Sequence, residues 1–183
     1  SVFRALPKKR QTLLFSATFS EAIRAMAGEM LNDPLSIEVS PRNAAAKSVK
    51  QWLIPVDKKR KSELFLHLYQ VKRWSQVLVF VKTRKGVDEL DAELQRRGIS
   101  ADSIHGDKPQ ATRQRALQRF KDGEVKVLVA TDVAARGLDI DDMPLVVNFD
   151  LPIVAEDYVH RIGRTGRAGT TGQAVSLVCA DEV

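Results

Sequence analysis

Residues 125–140 read VKVLVATDVAARGLDI, an apolar run that closes on Thr131 and Asp132 before the pattern turns helical. Residues 77–90, VLVFVKTRKGVDEL, repeat the arrangement. Both runs are apolar at consecutive positions, so both faces of each need cover, as in a parallel strand with helices on either side. Working outward, β-branched runs at 12–16, 35–39, 51–56, 77–81, 101–105, 125–130, 145–149 and 174–178 alternate with helical patterns. That alternation predicts an α/β fold of parallel strands joined by crossover helices. A helix is expected over 20–32, where Ile23, Met26, Ala27, Met30 and Leu31 fall at helical spacing. Val87, Leu90 and Leu94 repeat the spacing, and Gly98 follows as the stop.

Between Val39 and Val49 the stretch SPRNAAAKS lacks periodicity and reads as a linker. The forty residues before it hold one helix and two short strands, too little to bury a core alone. They are expected to be the tail of a preceding domain. The whole chain has 183 residues, 44% hydrophobic and 28% charged, which excludes disorder and leaves no room for two complete large domains. Its 29 Lys and Arg against 23 acids leave a net charge of +6, which favours polyanionic partners. A single cysteine, Cys179, excludes an internal disulfide and suggests the cytoplasm, and no apolar run is long enough for a membrane span.

Three stretches carry the chemistry. In HRIGRTGRAG, residues 160–169, Arg161, Arg164 and Arg167 alternate with Gly163, Gly166 and Gly169. Guanidinium forks beside closely approachable backbone suit phosphate, and a basic solvated turn is the plainer reading. In VATDVAARGLDI, residues 129–140, Thr131 and Asp139 stand where open α/β sheets bind ligands. The structural alternatives are Asp132 capping the turn and Asp139 pairing with Arg136. In SAT, residues 16–18, Thr18 with Glu21 also fits a helix capping box. His105 and His160 are isolated, and from the residues alone neither has a catalytic role. The basic run at 58–61 reads chiefly as a solvated face, with nucleic-acid contact the alternative. The chain has no Gly-Lys dipeptide, hence no phosphate loop, and no metal-holding acidic motif at a strand end. Its arginines therefore must complete a site whose phosphate loop lies elsewhere.

In this order and at these spacings, the stretches resemble the DEAD-box family of ATP-dependent RNA helicases, within superfamily 2. SAT looks like motif III, VLVFVKTR at 77–84 like motif IV and QATRQRALQRF at 110–120 like motif IVa. VATDVAARGLDI is similar to motif V and HRIGRTGR to motif VI, and the detailed wording looks most like the bacterial RhlE-type group. The resemblance implies a RecA-like three-layer αβα sandwich. Residues 1–40 would be the end of a first RecA-like domain, 41–48 an interdomain linker and 49–183 the second helicase domain. It further implies Arg164 and Arg167 as arginine fingers, Asp139 on the ATP ribose, and His160 and Arg161 coupling that site to the interface. Ser16 and Thr18 would relay closure of the two domains. Thr83, Gly106, Gln110, Arg113 and Thr131 would grip the sugar-phosphate backbone of one RNA strand without reading sequence. ATP is the implied cofactor, with the Mg2+ ligands expected in the first domain, in cis. No metal site and no membrane partner are expected in this chain. The alternative is a non-enzymatic RNA-binding or protein-interaction module on the same fold. Cut from its neighbours, segment 1–40 is expected to pack irregularly, with a swapped or crystal dimer through its strand edge as one outcome.

Overall fold

The computed structural model describes residues 6–7, 9–16, 21–37, 48–136, 138, 140, 142–166 and 171–182. The chain divides into two compact units, Ser1–Arg42 and Asn43–Val183. In the first, helix α1 spans Glu21–Met30, inside the expected 20–32, and buries Ala27. The two strands expected in this unit do not form over their described residues, 12–16 and 35–37. A strand exists only as one side of a hydrogen-bonded ladder, and the described residues of this unit offer it no second side. Leu13, Phe15, Leu35 and Ile37 are accordingly exposed. Residues 38–39 and most of the expected linker lie outside the described residues.

The second unit holds six parallel strands: β1 Val49–Pro55, β2 Val77–Phe80, β3 Ala101–Ile104, β4 Val127–Ala130, β5 Val146–Asn148 and β6 Gly172–Val178. Their order across the sheet is β1-β6-β5-β2-β4-β3. Every strand expected from 51 onward is present, and all neighbours pair in parallel. The helices are α2 Lys61–Lys72, α3 Arg84–Arg96, α4 Gln110–Lys121, the short α5 Asp132–Ala135 and α6 Ala155–Ile162. After α3, Gly98 takes a positive φ of 74°, the left-handed conformation expected of a helix stop.

The strand period of two divides the apolar runs between two cores. Val77 and Val79 of β2, Val127 and Val129 of β4 and Val147 of β5 pack with Phe65 and Leu66 of α2 and Val87, Leu90 and Leu94 of α3. The intervening Leu78, Phe80, Leu128, Ala130 and Val146 pack with Ala116 and Phe120 of α4 and Ala134 and Ala135 of α5. Ile162 of α6 lies against Val49 and Ala174. The unit is thus a three-layer α/β/α sandwich. Each fully buried Val or Leu contributes about 1.5–3 kcal/mol, so the consecutive apolar positions of β2 and β4 hold both helical layers.

One residue of the 58–61 basic run departs from the solvated reading. Lys61 opens α2 with only 2% of its surface exposed, and its ammonium donates to Glu182 at 2.7 Å and Asp150 at 3.1 Å. Burial pushes the Glu182 carboxyl up, but bonds from Lys61, from the Cys179 N–H and thiol, and from the Leu151 N–H outweigh it. The net effect is a fall from an ordinary 4.5 to about 2. A carboxyl depressed by folding stabilises the native state above its unfolded pKa, and that contribution disappears as pH falls toward the folded value. Wild type is therefore expected to exceed Glu182→Gln in stability by up to about 3 kcal/mol at neutral pH. Denaturant titrations should show the gap closing between about 4.5 and about 2.

Candidate functional site

Because all six strands are parallel, their carboxyl ends open on one edge, and the crossovers change direction between β5 and β2. Ligands of open α/β sheets bind at such a point. Ladder partners Phe80, Ala130 and Ile104 end β2, β4 and β3 level with one another. Val81, Thr131 and His105 follow them. Thr83 caps α3, its hydroxyl accepting the Gly86 N–H at 3.0 Å. A Cβ on Gly86 would stand 2.9 Å from Val81 Cγ1, so only glycine lets the chain turn this tightly into the helix. Thr131 is buried, donates its N–H to the Ile104 carbonyl at 3.3 Å and precedes α5. Gly106 and Gln110 are exposed, while Arg113 is half-buried in the first turn of α4. The structure therefore brings Thr83, Gly106, Gln110, Arg113 and Thr131 to the same edge, on the adjacent β2, β4 and β3 side.

Toward β5 the edge is organised by Arg161, which is 2% exposed. Its Nε and Nη2 donate to the two carboxylate oxygens of Asp132 at 2.6 and 2.7 Å. Its Nη1 donates to the Asn148 side-chain oxygen at 3.1 Å and to the Asp150 carbonyl at 2.6 Å. The guanidinium also lies 5.1 Å from the Phe80 ring centroid. Asn148 in turn donates to Ser176 Oγ at 3.0 Å. One side chain thus ties α6 to the ends of β4, β5 and β2, and through Asn148 to β6. Asp132, read from sequence as a turn cap, serves as the bidentate partner of Arg161.

The next turn carries Arg164, half-buried, with its Nη1 donating to the Leu138 carbonyl at 3.3 Å. Arg164 shares a narrow cleft with Phe80, Asp132, Arg136, Asp157, His160 and Arg161. Arg136 pairs with Asp157. The turn is clamped from behind: Ser48 Oγ donates to the Gly166 carbonyl at 2.8 Å, and Gly166 takes a positive φ of 69°. A Cβ on Gly172 would fall 2.4 Å from the Gly166 nitrogen, so the start of β6 presses directly on the arginine turn. Among the described residues, three buried side-chain nitrogens have no hydrogen-bond partner: His105 Nδ1, Arg113 Nε and His160 Nε2. Buried polar atoms are ordinarily paired, and all three sit at the carboxyl edge.

Thr18, Asp139 and Arg167 lie outside the described residues. Ser16 is exposed in the first unit, in a segment without regular structure. A concavity of about 1160 Å³ lies instead between β1 and α2, lined by residues such as Leu53, Leu64 and Val178, and contains none of the expected site residues. Among the described residues no cluster of His, Cys, Asp and Glu is arranged to hold a metal ion, and no helix is long and apolar enough to cross a membrane.

Residues 60–169, more than half the chain, match the helicase conserved C-terminal domain family. An Escherichia coli DEAD-box protein, SrmB, solved with the regulator of ribonuclease activity A, is 44% identical with a TM-score of 0.68. That alignment covers 73% of this chain and 79% of the SrmB chain. This chain belongs to the DEAD-box helicase family, as its C-terminal helicase domain. The DEAD-box RNA helicase CshA of Geobacillus kaustophilus is 43% identical over 183 residues, all of this chain and 39% of the relative. CshA of Bacillus subtilis is 42% identical over 182 residues, 37% of that protein. This chain thus spans well under half the length of these curated relatives, whose CshA name lends no support to the RhlE-type subgroup. Yeast Dbp5 L327V bound to RNA and ADP BeF3 matches 97% of this chain and 47% of its own at 36% identity, with a TM-score of 0.82.

Asn148, Asp150 and Ser176 of this DEAD-box domain escaped the sequence reading, since none stands in a motif. The signal available was a lone Asn inside the apolar run LVVNF at 145–149. Removing Arg161 strands the partly exposed Asp132 carboxylate and the buried Asn148 acceptor, which costs about 1–3 kcal/mol. Arg161→Met is therefore expected to lose that much in chemical denaturation, and addition of Asp132→Asn should recover part of it.

Proposed function

We propose that this chain is the C-terminal catalytic half of an ATP-dependent RNA helicase, coupling ATP binding and hydrolysis to local unwinding of RNA. In this reading residues 1–40 end a first RecA-like domain, 41–48 link the two, and 49–183 form the second. The first domain supplies the phosphate loop, the DEAD tetrapeptide and the Mg2+ ligands, and the protein works in the cytoplasm. The observation that carries the reading is the coincidence of three unpaired buried nitrogens with one sheet edge. His160 Nε2 lies on the arginine side, and His105 Nδ1 and Arg113 Nε on the side of Thr83, Gly106, Gln110 and Thr131. Unmet hydrogen bonding is ordinarily avoided in a folded chain, so its concentration here marks this edge as the functional one. The names of the relatives support it as well: the CshA proteins are ATP-dependent RNA helicases, and Dbp5 was solved with RNA and ADP BeF3.

The residues present fit a nucleotide's phosphates, since Arg164 borders a cleft that Arg136, His160 and Arg161 also line. ATP, when bound, supplies the phosphoanhydride whose cleavage drives the cycle. Arg164 would present a positive charge to that phosphoryl group, a role assigned also to Arg167, and Asp139 would contact the ribose. Arg161 holds the turn that aims Arg164, while His160 and Arg161 couple it to the interface. Val133 of α5, and Ile153 and Val154 just before α6, leave apolar side chains exposed on the elements that also supply the cleft, a feature suited to a closing partner domain. RNA is held through phosphates and 2′-hydroxyls by Thr83, Gly106, Gln110, Arg113 and Thr131, without sequence preference and with strong salt dependence. Ser16 and Thr18 relay closure from the first domain.

Hydrolysis measured on the full-length protein with poly-uridine RNA, with the matching DNA and without nucleic acid tests the reading. RNA-dependent turnover is expected, and Arg164→Ala is expected to lower it on the order of 10³-fold. Turnover that survives within a factor of about two would remove Arg164 from catalysis. RNA binding without any hydrolysis would favour the binding-module alternative.

A further inference from the structure

Arg84 closes the VLVFVKTR stretch and opens α3, and none of the roles assigned above falls on it. Its Nη1 donates to Asp107 Oδ1 at 2.5 Å, in the turn after β3. Both side chains are 62% exposed, so the pair orients the arginine more than it stabilises the fold. The first turn of α3 carries no acid of its own, and Asp88 further along is taken by His105 and Lys108. Asp107 is therefore the group that sets the guanidinium in place. It lays the guanidinium over Gly106: the point where a Cβ of residue 106 would stand is 3.8 Å from Nη2 and 3.9 Å from Nε. Those two nitrogens are the parallel donors with which an arginine grips a phosphate side-on. Among the described residues neither has an acceptor, because the Asp107 bond uses Nη1. A fork with two unused donors thus lies beside exposed backbone that carries no side chain.

We propose that Arg84 is a further RNA-binding residue, whose Nε–Nη2 fork, oriented by Asp107, takes a backbone phosphate seated on Gly106. The proposal deepens the reading that this edge holds RNA and rests on it. Two parallel hydrogen bonds from one cation need an arginine, whereas a lysine offers only a point charge. The fork meets a phosphate and neither base nor 2′-hydroxyl, so it adds affinity without preference for sequence or sugar. A methyl on residue 106 would fill the place between fork and phosphate. Its 3.8 Å from the guanidinium is ordinary contact and the Gly106 φ is not positive, so the free protein accommodates Gly106→Ala.

The test measures binding of poly-uridine RNA to the full-length protein, without nucleotide, over a range of salt concentrations. Arg84→Ala is expected to weaken binding about tenfold, the scale of a hydrogen bond to a charged group. The slope of log affinity against log salt should shrink by about 0.7, the share of one phosphate contact on a single strand. Arg84→Lys should keep the wild-type slope and still bind several-fold more weakly, and Gly106→Ala should lose affinity as Arg84→Ala does. The matching DNA should lose the same factor in Arg84→Ala. Arg97→Ala, an equally exposed arginine at the other end of α3, should change neither affinity nor slope. Denaturant midpoints of the Arg84 variants should match wild type, since the Asp107 pair is exposed. If Arg84→Ala keeps wild-type affinity and slope while wild type binds RNA, the contact is wrong and the proposed function stands. Affinity lost with an unchanged slope would also overturn it, by making Arg84 a prop for the loop, and Arg84→Lys binding as tightly as wild type would remove the fork. If wild type does not bind poly-uridine at all, the proposed function fails and takes this inference with it.

Discussion

The bidentate pair between Arg161 and Asp132 is the constraint on which the site depends. A guanidinium taken out of water needs its donors satisfied, and Asp132, Asn148 and the Asp150 carbonyl satisfy four hydrogen bonds at once. Those acceptors come from the ends of β4 and β5, and the ring beneath belongs to β2. Satisfying one side chain therefore aligns three strand ends and docks α6 on them. Arg164 follows three residues later, its place set by a helix that cannot rotate without breaking the cage.

The sandwich itself was legible from residue 49 onward because its strands are buried on both faces. VLVF and VLVA can be nothing but covered, and each divides between the two cores with the period of a strand. The two strands expected before residue 38 failed for the same physical reason that the others succeeded. An apolar run such as Leu13 to Phe15 forms a strand only beside a partner, and periodicity says nothing about whether one is present. The residues expected on RNA stand in the motifs read from sequence, and the fold gathers them on one edge. The Lys61, Asp150 and Glu182 network was not legible, because its members lie 89 and 121 positions apart and Lys61 is hidden in a run of cations. In sequence, nothing separates a buried lysine from a solvated one. Its partners are supplied by tertiary structure alone.

The chemistry is divided along the same edge. Around Arg161 and Arg164 the groups are charged, partly buried and held rigidly, which suits stabilising charge on a phosphoryl group in a site of low dielectric. Around Thr83, Gly106 and Gln110 they are small, polar and exposed, which suits weak contacts to a passing backbone. Thr131 follows β4 and Asp150 follows β5, on either side of β2, where the parallel sheet brings both sets to one edge.

The central claim is that the carboxyl edge, and not the larger groove beside β1, receives RNA. It is tested most directly by titrating this chain with poly-uridine RNA while following its backbone amide resonances. The account predicts shifts at 82–86, 105–113 and 131, weakening with added salt and smaller with the matching DNA. Shifts confined to residues around Leu53, Leu64 and Val178, with the edge unmoved, would contradict it.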